Sequence, residues 1–125
     1  SHPLSLNLHS QPLQVSIDPL LFGQVIFNII DNAVQYTPRN THIIVTTQKT
    51  PAGARLTIED EGEGIPEAHL EKIFEKYYRL SSRGRGAGLG LTVCRAIAGA
   101  HGARLWAENR HPKGLRMVVE IGTSK

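Results

Sequence analysis

The stretch from residue 18 to residue 36 constrains the fold most, because it predicts one long helix with an apolar side. Asp18 is a good N-cap, Pro19 suits the first helical position, and Pro38 forces the chain out of the helix. A wide apolar stripe follows the helical period and consists of Phe22, Val25, Ile26, Ile29, Ile30 and Ala33. Beside it runs a second row, formed by Gln24, Asn28, Asn32 and Tyr36. Such a helix buries its apolar side against a second layer.

The rest of the chain supplies that second layer as strands. Alternating apolar residues predict strands at 4–8, 13–17, 43–47, 55–60, 103–109 and 115–121. Two more helices are predicted at 66–73 and 88–100, and residues 76–87 are interpreted as a mobile loop. We therefore expect an α+β fold, a two-layer sandwich in which a mixed sheet of about five strands is covered by three helices. The 125 residues suit one domain with one core.

Composition argues against a membrane-spanning, nucleic-acid-binding or zinc-binding protein. No apolar run reaches the ~18 residues of a membrane span, and no signal-peptide pattern is present. The net charge of +3 comes from scattered Lys and Arg residues, so no nucleic-acid surface is expected. The six histidines are dispersed and Cys94 is the only cysteine, which argues against structural zinc and an internal disulfide. Met117 is the only methionine, and we expect a fragment of a longer protein.

Asp60 is the sharpest single feature, because it puts a carboxylate where the strand pattern calls for an apolar side chain. Leu56 and Ile58 share its face of the predicted strand, so the carboxylate needs a hydrogen-bonding partner. An adenine amino group is a suitable donor, and Gly62 and Gly64 let the backbone approach a flat ring. The alternative is a plain turn, in which Asp60 caps the next helix or the glycines provide positive φ.

Two amides, Asn28 and Asn32, lie one turn apart in an otherwise apolar helix. Asn32 suits a Mg2+ ion bound to phosphates, since Mg2+ prefers oxygen ligands and keeps several of its waters. The alternative is a pair of core amides that are bonded to backbone groups.

Glycine occupies every second position before the predicted helix at 88–100, at Gly84, Gly86, Gly88 and Gly90. The spacing fits neither GxGxxG nor a P-loop, because the third glycine and the GKS or GKT are missing. What remains is a loop that leads into a helix N-terminus, where backbone N–H groups favour phosphate. Three nearby arginines support a phosphate site, namely Arg79, Arg83 and Arg85. The alternative is a plain flexible loop.

Four motifs together resemble the ATP-binding catalytic domain of bacterial sensor histidine kinases, in the superfamily that also holds gyrase B, Hsp90 and the MutL proteins. The N box is similar to NIIDNAVQY, the G1 box to DEGEGI, the F box to IFEKYYR and the G2 box to GAGLGL. They occur in family order, and the resemblance covers essentially all of residues 1–125. The stretches PLLFGQV, GLGLTVCRAI and AHGARLWAENR look most like the Kdp-type potassium-sensing kinases. The resemblance implies the Bergerat ATP-binding fold.

The resemblance also implies roles for the matched residues. By this resemblance, Asn32 is expected to bind Mg2+, Asn28 to support the phosphates of ATP, and Asp60 to accept a hydrogen bond from the adenine amino group. The wall around the base and ribose is formed by Gly62, Gly64, Ile65 and Tyr36. The phosphates are held at the end of a lid and the helix start, by Gly86, Gly88, Leu89, Gly90 and Leu91.

The lid itself is expected to run from about Lys76, with Phe74 and Tyr78 as its anchors and Arg79 or Arg83 reaching the γ-phosphate. Two positions depart from the family pattern. Gln35 stands among the nucleotide-binding residues where many members carry Lys, which removes a cationic phosphate contact. Tyr78 stands where Phe is common, which adds a hydroxyl to the lid packing.

Asn28 stands at the position where the hydrolysing branch of the superfamily has a Glu that activates water. Its amide makes this chain resemble the kinase branch instead. Without that base, phosphoryl donation to a histidine is favoured over hydrolysis, and no catalytic residue is assigned in this chain. The sequences that follow His9 and His69 do not fit the family's acceptor motif. The alternatives are an ATPase module that gates a conformational change and a degenerate interaction domain.

The resemblance implies partners that this chain does not contain. The acceptor histidine is expected on a dimerisation domain of the same parent protein, N-terminal to residue 1, and a response regulator is expected downstream in a two-component system. The domain is expected in the cytoplasm without membrane contact of its own. An inner-membrane sensor is one form of parent protein that the resemblance implies.

Overall fold

The computed structural model describes residues 2, 4–7, 18–51, 53–75 and 90–122. The described α-helices are α1 (Pro19–Tyr36) and α2 (Leu91–Ala100). The strands are β1 (Leu4–Asn7), β2 (Ile43–Thr50), β3 (Gly53–Asp60), β4 (Arg104–Asn109) and β5 (Leu115–Gly122). The strand predicted at 13–17 and the loop predicted at 76–87 lie outside the described residues.

One mixed sheet has the strand order β1-β2-β3-β5-β4. β1 runs parallel to β2, and the other neighbouring pairs are antiparallel. This agrees with the predicted α+β sandwich. β3 lies in the middle of the sheet, with Asp60 at its end opposite Ile43 of β2.

The segment predicted as a helix at 66–73 forms two short 3-10 turns instead, Glu67–His69 and Lys72–Phe74. A segment this short has little helical stability of its own, so packing decides its shape. Here the second turn buries Ile73 and Phe74 in the core. Helix α2 also begins later than predicted, because Gly90 has extended backbone angles and acts as its N-cap.

The core lies between the helices and one face of the sheet. Helix α1 buries Phe22, Val25 and Ile29 as its periodicity predicted, and Asp18 caps its first turn. The facing strand residues include Ile43, Val45, Ile58, Met117 and Val119. Cys94 of α2 is fully buried among them, which raises the pKa of its thiol to about 11. Of the helices that the structure describes, neither is long and apolar enough to cross a membrane.

Candidate functional site

A cavity of about 320 Å³ lies between α1 and the end of β3. That volume is in the range of small-molecule sites. Its apolar walls come from Ile29, Ala33, Ile58, Leu115 and Met117. Six residues that the sequence analysis assigned to nucleotide binding also line it, namely Asn32, Tyr36, Asp60, Gly64, Ile65 and Leu91. Segments far apart in the chain therefore meet at one cavity.

Asp60 is the buried acid of this cavity, with 6% of its surface exposed. Its Oδ1 accepts hydrogen bonds from the backbone N–H groups of Gly62, at 2.9 Å, and Leu115, at 3.3 Å. Burial raises the pKa of Asp60, against the opposing effects of these two bonds and of the Arg110 charge. Oδ2 has no hydrogen-bond donor among the described residues, so it retains acceptor capacity for a bound molecule.

The glycines after Asp60 are required by close packing and by backbone conformation. A Cβ at Gly62 would lie 3.0 Å from the Thr37 side chain and 3.1 Å from Asp60 Oδ1. Gly64 has a φ of +78°, so the positive-φ alternative is correct for this residue. The capping alternative is wrong, because no side chain caps the 3-10 turn that follows Pro66.

The amides of α1 have different surroundings. Asn32 is half-buried and lines the cavity. Asn28 is 5% exposed and donates from Nδ2 to the carbonyl oxygen of Gln24 at 2.7 Å, the bond that the core-amide alternative describes. Neither Asn28 nor Gln35 is among the described residues that line the cavity, and their phosphate contacts stay predictions.

The start of α2 lies beside the cavity through Leu91, which is buried. Gly90 precedes it, and its carbonyl accepts from the N–H groups of Val93 and Cys94. Phe74 is held against α2, since the Arg95 guanidinium lies 3.9 Å from its ring centroid. The other predicted phosphate and lid residues lie outside the described residues; these are Tyr78, Arg79, Arg83, Gly86, Gly88 and Leu89.

The turn between β4 and β5 also contributes to the site, which the sequence analysis missed. Arg110 Nη1 donates to the Asp60 carbonyl oxygen at 3.4 Å, and Gly114 packs directly against that carbonyl group. Thr37, the residue that follows α1, also lines the cavity and donates from Oγ1 to the Ala33 carbonyl oxygen. The sequence predicts strands at 103–109 and 115–121, but it carries no signal that the segment between them meets the DEGEGI loop.

The family described as histidine kinase-, DNA gyrase B- and HSP90-like ATPase matches residues 17–125 of the chain. The sensor histidine kinase GtrS of Pseudomonas aeruginosa is 40% identical over 103 residues, spanning 82% of this chain and 21% of the relative. The sensor protein KdpD of Clostridium acetobutylicum is 33% identical over 125 residues, spanning 97% of this chain and 14% of the relative. The chain thus covers a minor part of these relatives, and the Kdp-type assignment stays a prediction.

Solved structures show the same fold. The catalytic domain of histidine kinase ThkA matches with a TM-score of 0.86 at 31% identity, covering 98% of this chain and 79% of that chain. ThkA in complex with response regulator protein TrrA matches with a TM-score of 0.83 at 29% identity, covering 98% of this chain and 34% of that chain. The predicted fold class is confirmed.

Proposed function

Because this chain belongs to the family of histidine kinase-, DNA gyrase B- and HSP90-like ATPases, we propose that it binds ATP with Mg2+ and donates the γ-phosphoryl group to a histidine outside the chain. One observation carries the proposal: a buried carboxylate, Asp60, and a half-buried amide, Asn32, line the same cavity. The pair offers one acceptor for the base and one oxygen for the phosphate end of a nucleotide.

Asp60 is proposed to recognise the adenine amino group through Oδ2. Its other oxygen is already occupied by two backbone N–H groups, which fixes the orientation of the carboxylate before the nucleotide binds. Ile58, Ile65 and Met117 give the base an apolar surface around that hydrogen bond. An acceptor held in this way favours adenine, which donates from its 6-amino group, over guanine, which has a carbonyl oxygen at that position.

Asn32 is proposed to contact Mg2+ through its amide oxygen. The described residues contain no group of three or more His, Cys, Asp or Glu side chains that could hold a metal ion by themselves. One amide oxygen suits Mg2+ that arrives with ATP, because the phosphates and waters complete its coordination. The ion would neutralise the charge of the phosphates during transfer.

Donation rather than hydrolysis is supported by Asn28. An amide is not a general base, and one of its N–H groups is already used by the Gln24 carbonyl oxygen. A histidine acceptor needs no such base, since the imidazole is itself a nucleophile. We propose that this histidine lies on a dimerisation domain of the parent protein and that a response regulator receives the phosphoryl group. The setting would be a cytoplasmic two-component system.

Calorimetric titration with a non-hydrolysable ATP analogue tests the proposal directly. We expect binding in the micromolar to submillimolar range that is selective over the GTP analogue and is tightened by Mg2+. The chain alone should turn over little ATP, yet label the histidine-bearing domain of its parent when the two are mixed. Absence of binding would contradict the nucleotide site, and rapid ATP hydrolysis by the chain alone would contradict donation.

Asn32→Ala is expected to abolish the Mg2+ dependence of ATP-analogue binding, because the variant lacks the oxygen proposed to contact the ion. The measurement is the ratio of dissociation constants with and without Mg2+, which should approach one in the variant. Gln48→Ala is the matched control, since it removes an exposed amide of β2 and should keep the wild-type ratio. A Mg2+ effect in Asn32→Ala equal to that of wild type would contradict the metal assignment.

A further inference from the structure

The side chain of Asn109, at the end of β4, forms two hydrogen bonds with the backbone of Ile65. Its Oδ1 accepts from the Ile65 N–H at 3.1 Å, and its Nδ2 donates to the Ile65 carbonyl oxygen at 2.7 Å. The two residues are 44 positions apart in the chain. A carboxamide carries a donor and an acceptor on one planar group, so it pairs with a backbone residue as a neighbouring strand would.

This pairing matters because Ile65 belongs to no strand. It lies in the loop from Glu61 to Pro66, between β3 and the first 3-10 turn, where no ladder fixes the backbone. Unpaired backbone groups in a half-buried loop are costly. Asn109 satisfies both groups of Ile65 and so fixes the part of the loop that lines the cavity.

The contact is also close-packed. A Cβ at Gly64 would lie 2.5 Å from Asn109 Oδ1 and 3.0 Å from the Gly114 carbonyl oxygen. Gly64 and Asn109 therefore complement each other in shape as well as in hydrogen bonding. Asn109 itself is not among the described residues that line the cavity, so any effect on a ligand must pass through Gly64 and Ile65.

We propose that Asn109 is a positioning residue for base recognition, which holds Gly64 and Ile65 at the distance from Asp60 that an adenine ring requires. The inference rests on the proposed nucleotide function, and it assigns to the end of β4 a part in that function. Loss of the Asn109 carboxamide would leave Asp60 in place but release the opposite wall.

Asn109→Ala tests this inference. We expect it to weaken binding of ADP and of the ATP analogue by about tenfold each, because the base contacts common to both are affected. Lys113→Ala is the matched control, since Lys113 is an exposed side chain of the turn that follows β4, and the variant should bind as wild type does. Urea unfolding of each free protein separates a loss of folded protein from a loss of affinity.

Asn109→Asp gives a second readout that a purely structural role would not move. At neutral pH its carboxylate can accept from the Ile65 N–H but faces the Ile65 carbonyl oxygen with no donor. A protonated carboxyl group restores the donor, and so has the hydrogen-bonding pattern of the amide. The affinity of Asn109→Asp relative to wild type should therefore rise as pH falls. Asp60, Glu63 and Arg110 are present in both proteins, so wild type measured over the same pH range is the reference for this comparison.

The outcomes distinguish this inference from the proposed function. If wild type binds no nucleotide, the proposed function fails. If wild type binds and folded Asn109→Ala binds equally well, the positioning role is overturned. If Asn109→Ala does not fold, Asn109→Asp decides: a relative affinity that rises at low pH supports the role, and one that stays equal to wild type at every pH overturns it.

Discussion

Asp60→Asn is expected to weaken ATP binding by about 10- to 100-fold, because one charged hydrogen bond to the base is worth about 1.5–3 kcal/mol. The substitution keeps the size of the side chain and one oxygen that can accept from the N–H groups of Gly62 and Leu115. It replaces Oδ2, which is proposed to accept from adenine, by an amide nitrogen that can only donate. The variant should therefore be folded and defective in binding.

The free protein should be no less stable after this substitution at neutral pH. Burial raises the pKa of Asp60 above its ordinary value of 3.8, so the folded state binds the proton more tightly than the unfolded chain. Protonated Asp60 therefore contributes to the free energy of unfolding of wild type at low pH. This contribution is lost as pH rises from that ordinary value through the raised pKa. Asn carries no charge, so Asp60→Asn should lack this loss.

Calorimetry with the ATP analogue measures the affinity, and urea unfolding across that pH range measures the stability. Glu61→Gln is the matched control, because it neutralises the next carboxylate in the chain, which is exposed and does not line the cavity. It should leave nucleotide affinity near the wild-type value. Unchanged affinity in Asp60→Asn would remove Asp60 from base recognition.

Gly114→Ala should reduce the free energy of unfolding by about 2–5 kcal/mol, from left-handed backbone strain together with overpacking. Gly114 has a φ of +108°, and a Cβ there would lie 1.9 Å from the Asp60 carbonyl oxygen. That oxygen belongs to the backbone of β3, so no side-chain rotation relieves the clash. The turn and the end of β3 must separate for the variant to fold, which should also weaken nucleotide binding.

Gly102→Ala is the control for Gly114→Ala. Gly102 has a φ of +71° at the end of α2, but a Cβ there would meet no atom within 4 Å. It should cost only the backbone strain, about 1–2 kcal/mol. Urea or thermal unfolding of both variants gives the comparison. Equal losses would mean that the close approach of Gly114 to Asp60 adds no measurable energy.

Much of the fold could be predicted because its signals are local. The period of α1, its Asp18 cap and the alternation along β3 each depend on residues close together in the chain. The same alternation identified Asp60 as an acid on the core face, and the structure places it there with 6% exposure. Parity along one strand was sufficient for that residue, since its neighbours Leu56 and Ile58 define the face.

The rest could not be predicted because it depends on irregular segments that meet in space. The contact between Ile65 and Asn109 joins two segments without a shared period, and neither residue type is unusual where it stands. The 3-10 turns at 67–74 likewise follow from the burial of Ile73 and Phe74 rather than from propensity. Asn28 shows the same limit, because its spacing alone does not say whether the amide faces a ligand or a backbone carbonyl.

The position of Asp60 on β3 has a consequence for how a ligand would change motions in the protein. β3 pairs with β2 on one side and with β5 on the other. The hydrogen bonds of its backbone N–H groups therefore break only when the middle of the sheet opens. A ligand that binds only the folded state lowers the population of every such opening. Nucleotide should therefore slow amide hydrogen exchange throughout the central strands, including residues far from the cavity, and not only along its rim.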